Sequence, residues 1–125
     1  MNTKKTLLLV DDSLVVVDRL VPMLESLENV AFVIHAGSYE AAIEMLAGIR
    51  PDLVLLDIQL PDKSGIELLK KIRETDKEMV VIMISNHAGP EYGRLCKKLG
   101  ANHLFDKSSD FELIPDAVQS AFQIF

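Results

Sequence analysis

Five polar side chains stand where short apolar runs end. Asp11 and Asp12 follow Thr6 to Val10, and Asp57 follows Asp52 to Leu56. Ser85 follows Met79 to Ile84, and Lys107 comes two residues after Asn102 to Phe105. Two carboxylates about 5 Å apart repel by roughly 3 kcal/mol at an effective dielectric near 20, so three cannot stay ionised together without a cation. Hard oxygen ligands of this kind suit Mg²⁺, which keeps several waters and shares oxygens with phosphate. A carboxylate is also a nucleophile toward phosphorus, and its product is an acyl phosphate. Asp57 fits the nucleophile, because adjacent Asp11 and Asp12 look like the metal pair. Lys107 and Ser85 would then contact phosphoryl oxygens as charge spreads over them.

Each residue alone has a duller explanation. Asp12-Ser13 could cap a helix, and Asp57 could be a turn residue ahead of Pro61 and Gly65. Lys107 could be a solvated charge and Ser85 a loop hydroxyl. Taken together, those explanations must account for five coincidences of position.

The elements that would position these groups are short runs of strand length: Thr6 to Val10, Val30 to His35, Asp52 to Leu56, Met79 to Ile84 and Asn102 to Phe105. Three are apolar at consecutive positions, as in parallel strands covered on both faces. Between them apolar residues recur at helical spacing, as in Ile66, Leu69 and Ile72, or Phe111, Ile114, Val118, Phe122 and Phe125. Ser38 is placed to cap a helix over Tyr39 to Ile49, and Gly89-Pro90 to open another. Pro51, Pro61, Gly65 and Gly100 mark the joins. Pro22 should kink the first helix, and Pro115 obscures the start of the last. Strict alternation predicts a parallel sheet with helices on both faces. The five polar residues then lie at the carboxyl edge, where such sheets bind ligands. They converge if the first strand is central and lies beside the third and fourth.

The chain has 125 residues, room for one domain over 1–125 with no second domain or linker. Apolar residues are 49% and charged residues 26%, which excludes a disordered chain. Thirteen Lys and Arg against nineteen Asp and Glu give a net charge of -6, which argues against binding nucleic acid or anionic lipid by charge. Cys96 is the only cysteine, so it forms no intramolecular disulfide. It is expected to be a small buried hydrophobe in a reducing cytoplasm. Lys4-Lys5 and Leu7 to Val10 begin like a signal peptide, but Asp11 and Asp12 cut the apolar stretch too early, and no run is long enough to span a membrane. His35, His87 and His103 lack metal-ligand spacing; His35 is expected to be structural.

These residues resemble the receiver domain of two-component response regulators, of the stand-alone single-domain type. The resemblance is carried by Leu8-Leu9-Val10-Asp11-Asp12-Ser13, by the stretch from Leu55 through Asp57, Pro61 and Gly65 to Leu68, by Ile84-Ser85, and by Gly100-Ala101 leading to Lys107. It implies a flavodoxin-like, doubly wound, five-stranded parallel sheet of order 2-1-3-4-5 with five helices. It implies that Asp57 accepts a phosphoryl group from a sensor histidine kinase or a histidine phosphotransfer protein. Mg²⁺ would be held by Asp12, Asp57 and the main-chain carbonyl of Gln59, and by Asp11 through water. Ser85 takes the hydroxyl position and Lys107 the salt-bridging one. Such a domain catalyses part of its own phosphorylation and dephosphorylation, as a switch rather than a turnover enzyme. With no effector segment following, the signal is expected to leave by protein contact, usually over residues 90–123, or by onward phosphotransfer. The alternatives are a phosphorylation-independent interaction module and a receiver cut from a longer regulator.

Three departures from the family pattern matter. Leu104 stands where Tyr, Phe or His is usual, and Phe105 cannot replace it because neighbouring strand residues face opposite ways. Ser108 replaces a frequent proline, so the cis peptide often found there is not expected. Gln59 and His87 occupy positions that tune access of water to the phosphoryl group. Two other functions fit worse. A flavin-binding module would need a Ser-, Thr- or Gly-rich loop where the acidic Asp11-Asp12-Ser13 stands. An aspartyl-phosphate hydrolase would need a second acid at position 13, which is Ser, and a cap insertion.

Overall fold

The computed structural model describes residues 4–86 and 89–122. In chain order the elements are β1 (Lys5–Val10), α1 (Leu14–Glu25), β2 (Val30–Ala36), α2 (Tyr39–Gly48), β3 (Leu53–Asp57), α3 (Gly65–Thr75), β4 (Val80–Ser85), α4 (Pro90–Lys98), β5 (His103–Asp106) and α5 (Ile114–Ala121). One 3₁₀ turn, Phe111–Leu113, leads into α5. The strands form a single five-stranded sheet of order β2-β1-β3-β4-β5, with every pair parallel. This is the doubly wound, flavodoxin-like fold expected.

One placement differs. The order is the 2-1-3-4-5 that the resemblance implied, but the condition that β1 be central and lie beside β4 is not met: β3 is the middle strand and β1 lies between β2 and β3. Strand ends also shift by one residue. Asp57 pairs with Ile84 and Ser85 with Asp106, so both side chains belong to the last residues of their strands rather than to loops beyond them. Main-chain pairing, which side-chain polarity does not reveal, sets those ends.

Apolar residues fill β1, β3 and β4 because these strands are covered on both sides. Alternate residues point to opposite faces. Leu8, Val10, Val54, Leu56, Val81 and Met83 pack with Ala42 of α2, Leu68, Leu69 and Ile72 of α3, and Cys96 of α4. Leu7, Leu9, Leu53, Leu55, Ile82 and Ile84 pack with Val17, Leu20 and Leu24 of α1 and with Ile114 and Val118 of α5. Each fully buried leucine contributes about 1.5–3 kcal/mol by leaving water. Cys96 is buried, as expected, and burial pushes its thiol up.

The helix ends follow the local chemistry. Ser38 caps α2 by accepting the Ala41 N–H at 3.1 Å, and Gly89 precedes Pro90 at the start of α4. Pro115 sits in the first turn of α5, where a missing N–H removes no helix bond, so it starts the helix instead of breaking it. Pro22 lies in the last turn of α1, which runs on to Glu25. Phe122 packs on the α1–α5 side of the core, and Phe125 lies outside the described residues. No helix among the described residues is long and apolar enough to cross a membrane. There is no cis peptide among them, in keeping with Ser108.

Candidate functional site

At the carboxyl edge the sheet brings together the side chains of Asp11, Asp12, Asp57 and Lys107, and places Ser85 beside them through its backbone. Asp11 follows β1 and is wholly buried. Its Oδ1 accepts the Ser13 N–H at 2.8 Å, while Ser13 caps α1 by accepting the Val16 N–H at 3.4 Å. The cap is therefore Ser13, which leaves the exposed Asp12 carboxylate available for other work. Asp57 closes β3, is 3% exposed, and its Oδ1 accepts the Gln59 N–H at 3.1 Å. The turn role weighed for Asp57 thus coexists with its place at the site.

Lys107 comes from the far side of β4. Its N–H donates to the Ser85 carbonyl at 2.8 Å, which ties the buried Ser85 to the lysine's backbone. The long apolar stem carries the ammonium inward, to 3.0 Å from Asp57 Oδ2 and 2.7 Å from Asp11 Oδ2. Carboxylate oxygens of Asp11, Asp12 and Asp57 all lie within 4.8 Å of one another.

Three carboxylates against one ammonium leave this pocket short of positive charge. Burial raises the Asp57 carboxyl, the Lys107 hydrogen bond opposes that rise, and the Asp11 charge adds to it; the net direction is up. Burial also works against the Lys107 ammonium, but contacts with Asp11 and Asp57 outweigh it and hold the amine above its usual range. The buried Asp11 Oδ2 is met by the Lys107 ammonium at 2.7 Å. An all-oxygen donor set and an excess of negative charge fit a hard divalent cation.

The loop after Asp57 is closed tightly. The Gly65 N–H donates to the Ile58 carbonyl at 2.6 Å, and Gln59 bridges Ser64. A Cβ at position 65 would run into the Asp57 carbonyl oxygen, so glycine is needed there for space rather than for backbone freedom.

Of the tuning positions, Gln59 is exposed and His87 lies outside the described residues. Leu104 packs on the α2–α3–α4 side of the sheet and Phe105 on the α1–α5 side, so Phe105 does not take Leu104's place. The ring of Phe105 instead stacks with His103 at 5.5 Å. His35 has a partner that sequence reasoning missed: its Nε2 lies 2.8 Å from the Asp11 carbonyl, which can only accept. Asp62 was missed as well. Its carboxylate accepts N–H bonds from Glu40, Tyr39 and Lys63, which hold it below the usual range. Pairing of β1 with β2 brings His35 to Asp11, and the approach of this loop to the start of α2 brings Asp62 to Tyr39 and Glu40.

The model of the response regulator receiver domain matches residues 7–119. The chain belongs to that family. Sporulation initiation phosphotransferase F of Bacillus subtilis (strain 168) is 37% identical over 78 residues, which are 62% of this chain and 63% of that protein. The chain spans 21% to 63% of the lengths of three curated relatives it matches. Among solved structures, a CheY-like receiver domain protein of Methanospirillum hungatei JF-1 superposes with a TM-score of 0.81 at 27% identity, covering 95% of this receiver and 94% of that chain. The Mn²⁺-bound form of response regulator Rcp1 superposes with a TM-score of 0.77 at 25% identity, over 93% of this receiver and 90% of that chain.

Proposed function

We propose that this receiver domain, spanning 1–125, is a phosphoryl-accepting switch with Asp57 as the acceptor. The observation that carries the proposal is the Lys107 ammonium between Asp11 and Asp57, 2.7 and 3.0 Å from their carboxylates. Asp12, Asp57 and the Gln59 carbonyl, with Asp11 through water, would hold Mg²⁺, which supplies the positive charge that three clustered carboxylates and an incoming phosphate require. Rcp1, a structural relative, is known with Mn²⁺ bound.

A carboxylate oxygen of Asp57 attacks the phosphorus of a phosphohistidine on a sensor histidine kinase or histidine phosphotransfer protein. The new O–P bond forms as the P–N bond breaks, and the electron pair leaves with the imidazole nitrogen. Lys107 neutralises phosphoryl oxygens, and the buried Ser85 hydroxyl donates to one of them. Hydrolysis of the same acyl phosphate resets the domain, with Gln59 and His87 setting how easily water reaches it. Its activity is self-directed, not that of a turnover enzyme. Output passes through protein contacts over residues 90–123, or by onward phosphotransfer, in the cytoplasm. Because Leu104 replaces an aromatic ring, Ser85 carries the local part of the switch.

Incubation with acetyl phosphate and Mg²⁺, followed by intact mass measurement, tests this. One phosphoryl adduct that disappears in Asp57→Asn is expected. An adduct that survives that substitution, or none in the wild-type protein, refutes the assignment.

A further inference from the structure

We propose that Asp62 is a positioning residue for the Asp57 site: its carboxylate fastens the tip of the β3–α3 loop to the first turn of α2 and thereby holds the Gln59 carbonyl in place. The inference rests on the proposed use of that carbonyl as a cation ligand.

The first N–H groups of a helix have no partner within it. In α2 they belong to Tyr39, Glu40 and Ala41. Ser38 takes the Ala41 N–H, and Asp62 takes the other two, with Oδ1 2.9 Å from the Tyr39 nitrogen and Oδ2 3.0 Å from that of Glu40. The neighbouring Lys63 places its ammonium 4.8 Å from the centre of the Tyr39 ring. Two consecutive loop residues therefore grip one helix turn.

What makes this more than a cap is the state of the loop. Gln59, Pro61, Asp62, Lys63 and Ser64 are all exposed, and Leu60 alone packs against the core. Little apolar burial holds the loop down, so its order depends on hydrogen bonds. Its base is closed by Gly65 to Ile58 and by the Gln59–Ser64 bridge. Asp62 anchors its tip. With both ends fixed, the backbone of Gln59, whose N–H donates to Asp57 Oδ1 at 3.1 Å, is held beside the acceptor before any cation arrives, so less ordering remains to be done on binding.

The test compares Asp62→Ala with Ser38→Ala in the full chain. Both remove a cap from the same helix, but only the first releases the loop. In Asp62→Ala, amide hydrogen exchange across 59–64 speeds up and Mg²⁺ binds about tenfold more weakly by calorimetry, the lower end of what losing supporting contacts around metal ligands costs. Phosphorylation by acetyl phosphate at limiting Mg²⁺ slows by a similar factor. Ser38→Ala stays within about twofold of wild type on each measure, and Asp62→Asn, which keeps one acceptor oxygen, falls between. Unchanged loop exchange in Asp62→Ala, or equal losses in both alanine variants, overturns the proposal. If the wild-type protein takes up neither Mg²⁺ nor a phosphoryl group, the functional assignment fails, and loop exchange alone decides whether Asp62 positions the loop.

Discussion

Replacing Lys107 with methionine keeps much of the side chain's volume and removes the only ammonium that the described residues bring to the buried carboxylates. At an effective dielectric near 20, an ion pair at 2.7 Å is worth about 6 kcal/mol and one at 3.0 Å about 5.5 kcal/mol before desolvation. The lysine's own burial cost offsets much of that attraction, and breaking a buried pair typically costs about 3–5 kcal/mol net. Lys107→Met should lose that amount in urea unfolding with excess EDTA. Asp57→Asn should lose far less at neutral pH, because burial and the Asp11 charge already work against the Asp57 carboxylate. A carboxyl whose folded value is raised contributes stability at low pH and loses it as pH rises through that value. Any advantage of Asp57→Asn therefore appears above the ordinary carboxylate range and vanishes in acid. Millimolar Mg²⁺ should stabilise Lys107→Met more than wild type, since the ion then replaces the missing ammonium. A Lys107→Met domain within about 1 kcal/mol of wild type in EDTA would refute the claim that this lysine compensates the buried carboxylates.

Other substitutions test separate parts of the structure. Gly65→Ala forces a methyl against the Asp57 carbonyl and should cost about 1–3 kcal/mol in thermal unfolding, with slower phosphorylation as the acceptor strand end shifts. Asp76→Ala removes bonds to Arg50, Glu78 and Met79 and should cost about 1 kcal/mol. Because Arg50 and the Met79 N–H hold the Asp76 carboxyl at about 2, that contribution is present above the ordinary carboxylate value and is lost as pH falls through about 2. Simultaneous replacement of Gln59 and His87 by alanine should change the lifetime of the phosphorylated state; decay equal to wild type by intact mass would count against their role in admitting water.

Much of this architecture is legible in residue order. The fully apolar runs in β1, β3 and β4 announce strands covered on both faces, and Ser38 and Pro90 mark helix starts, whereas only the structure shows that Pro115 opens α5. The acidic pair after β1, Asp57, Ser85 and Lys107 identify the carboxyl edge as the place where chemistry would occur. Less legible is which strand neighbours which, since side-chain polarity reports burial and not pairing partners. Residue patterns alone left β1 beside β4 as an option, the order 2-1-3-4-5 came from the family resemblance, and the one-residue extension of β3 and β4 escapes for that reason. His35 and Asp62 were missed because each acts on main-chain groups distant in sequence, which no local pattern encodes.

Residue types alone determined the class of fold and the inventory of reagents, because periodic burial and chemical identity are properties of the chain itself. The ion triad of Lys107 with Asp11 and Asp57 and the fastening of the acceptor loop to α2 were decided only in three dimensions. They depend on strands distant in sequence becoming neighbours, and on a lysine stem long enough to reach across β4 into a site too dry to leave its carboxylates uncompensated.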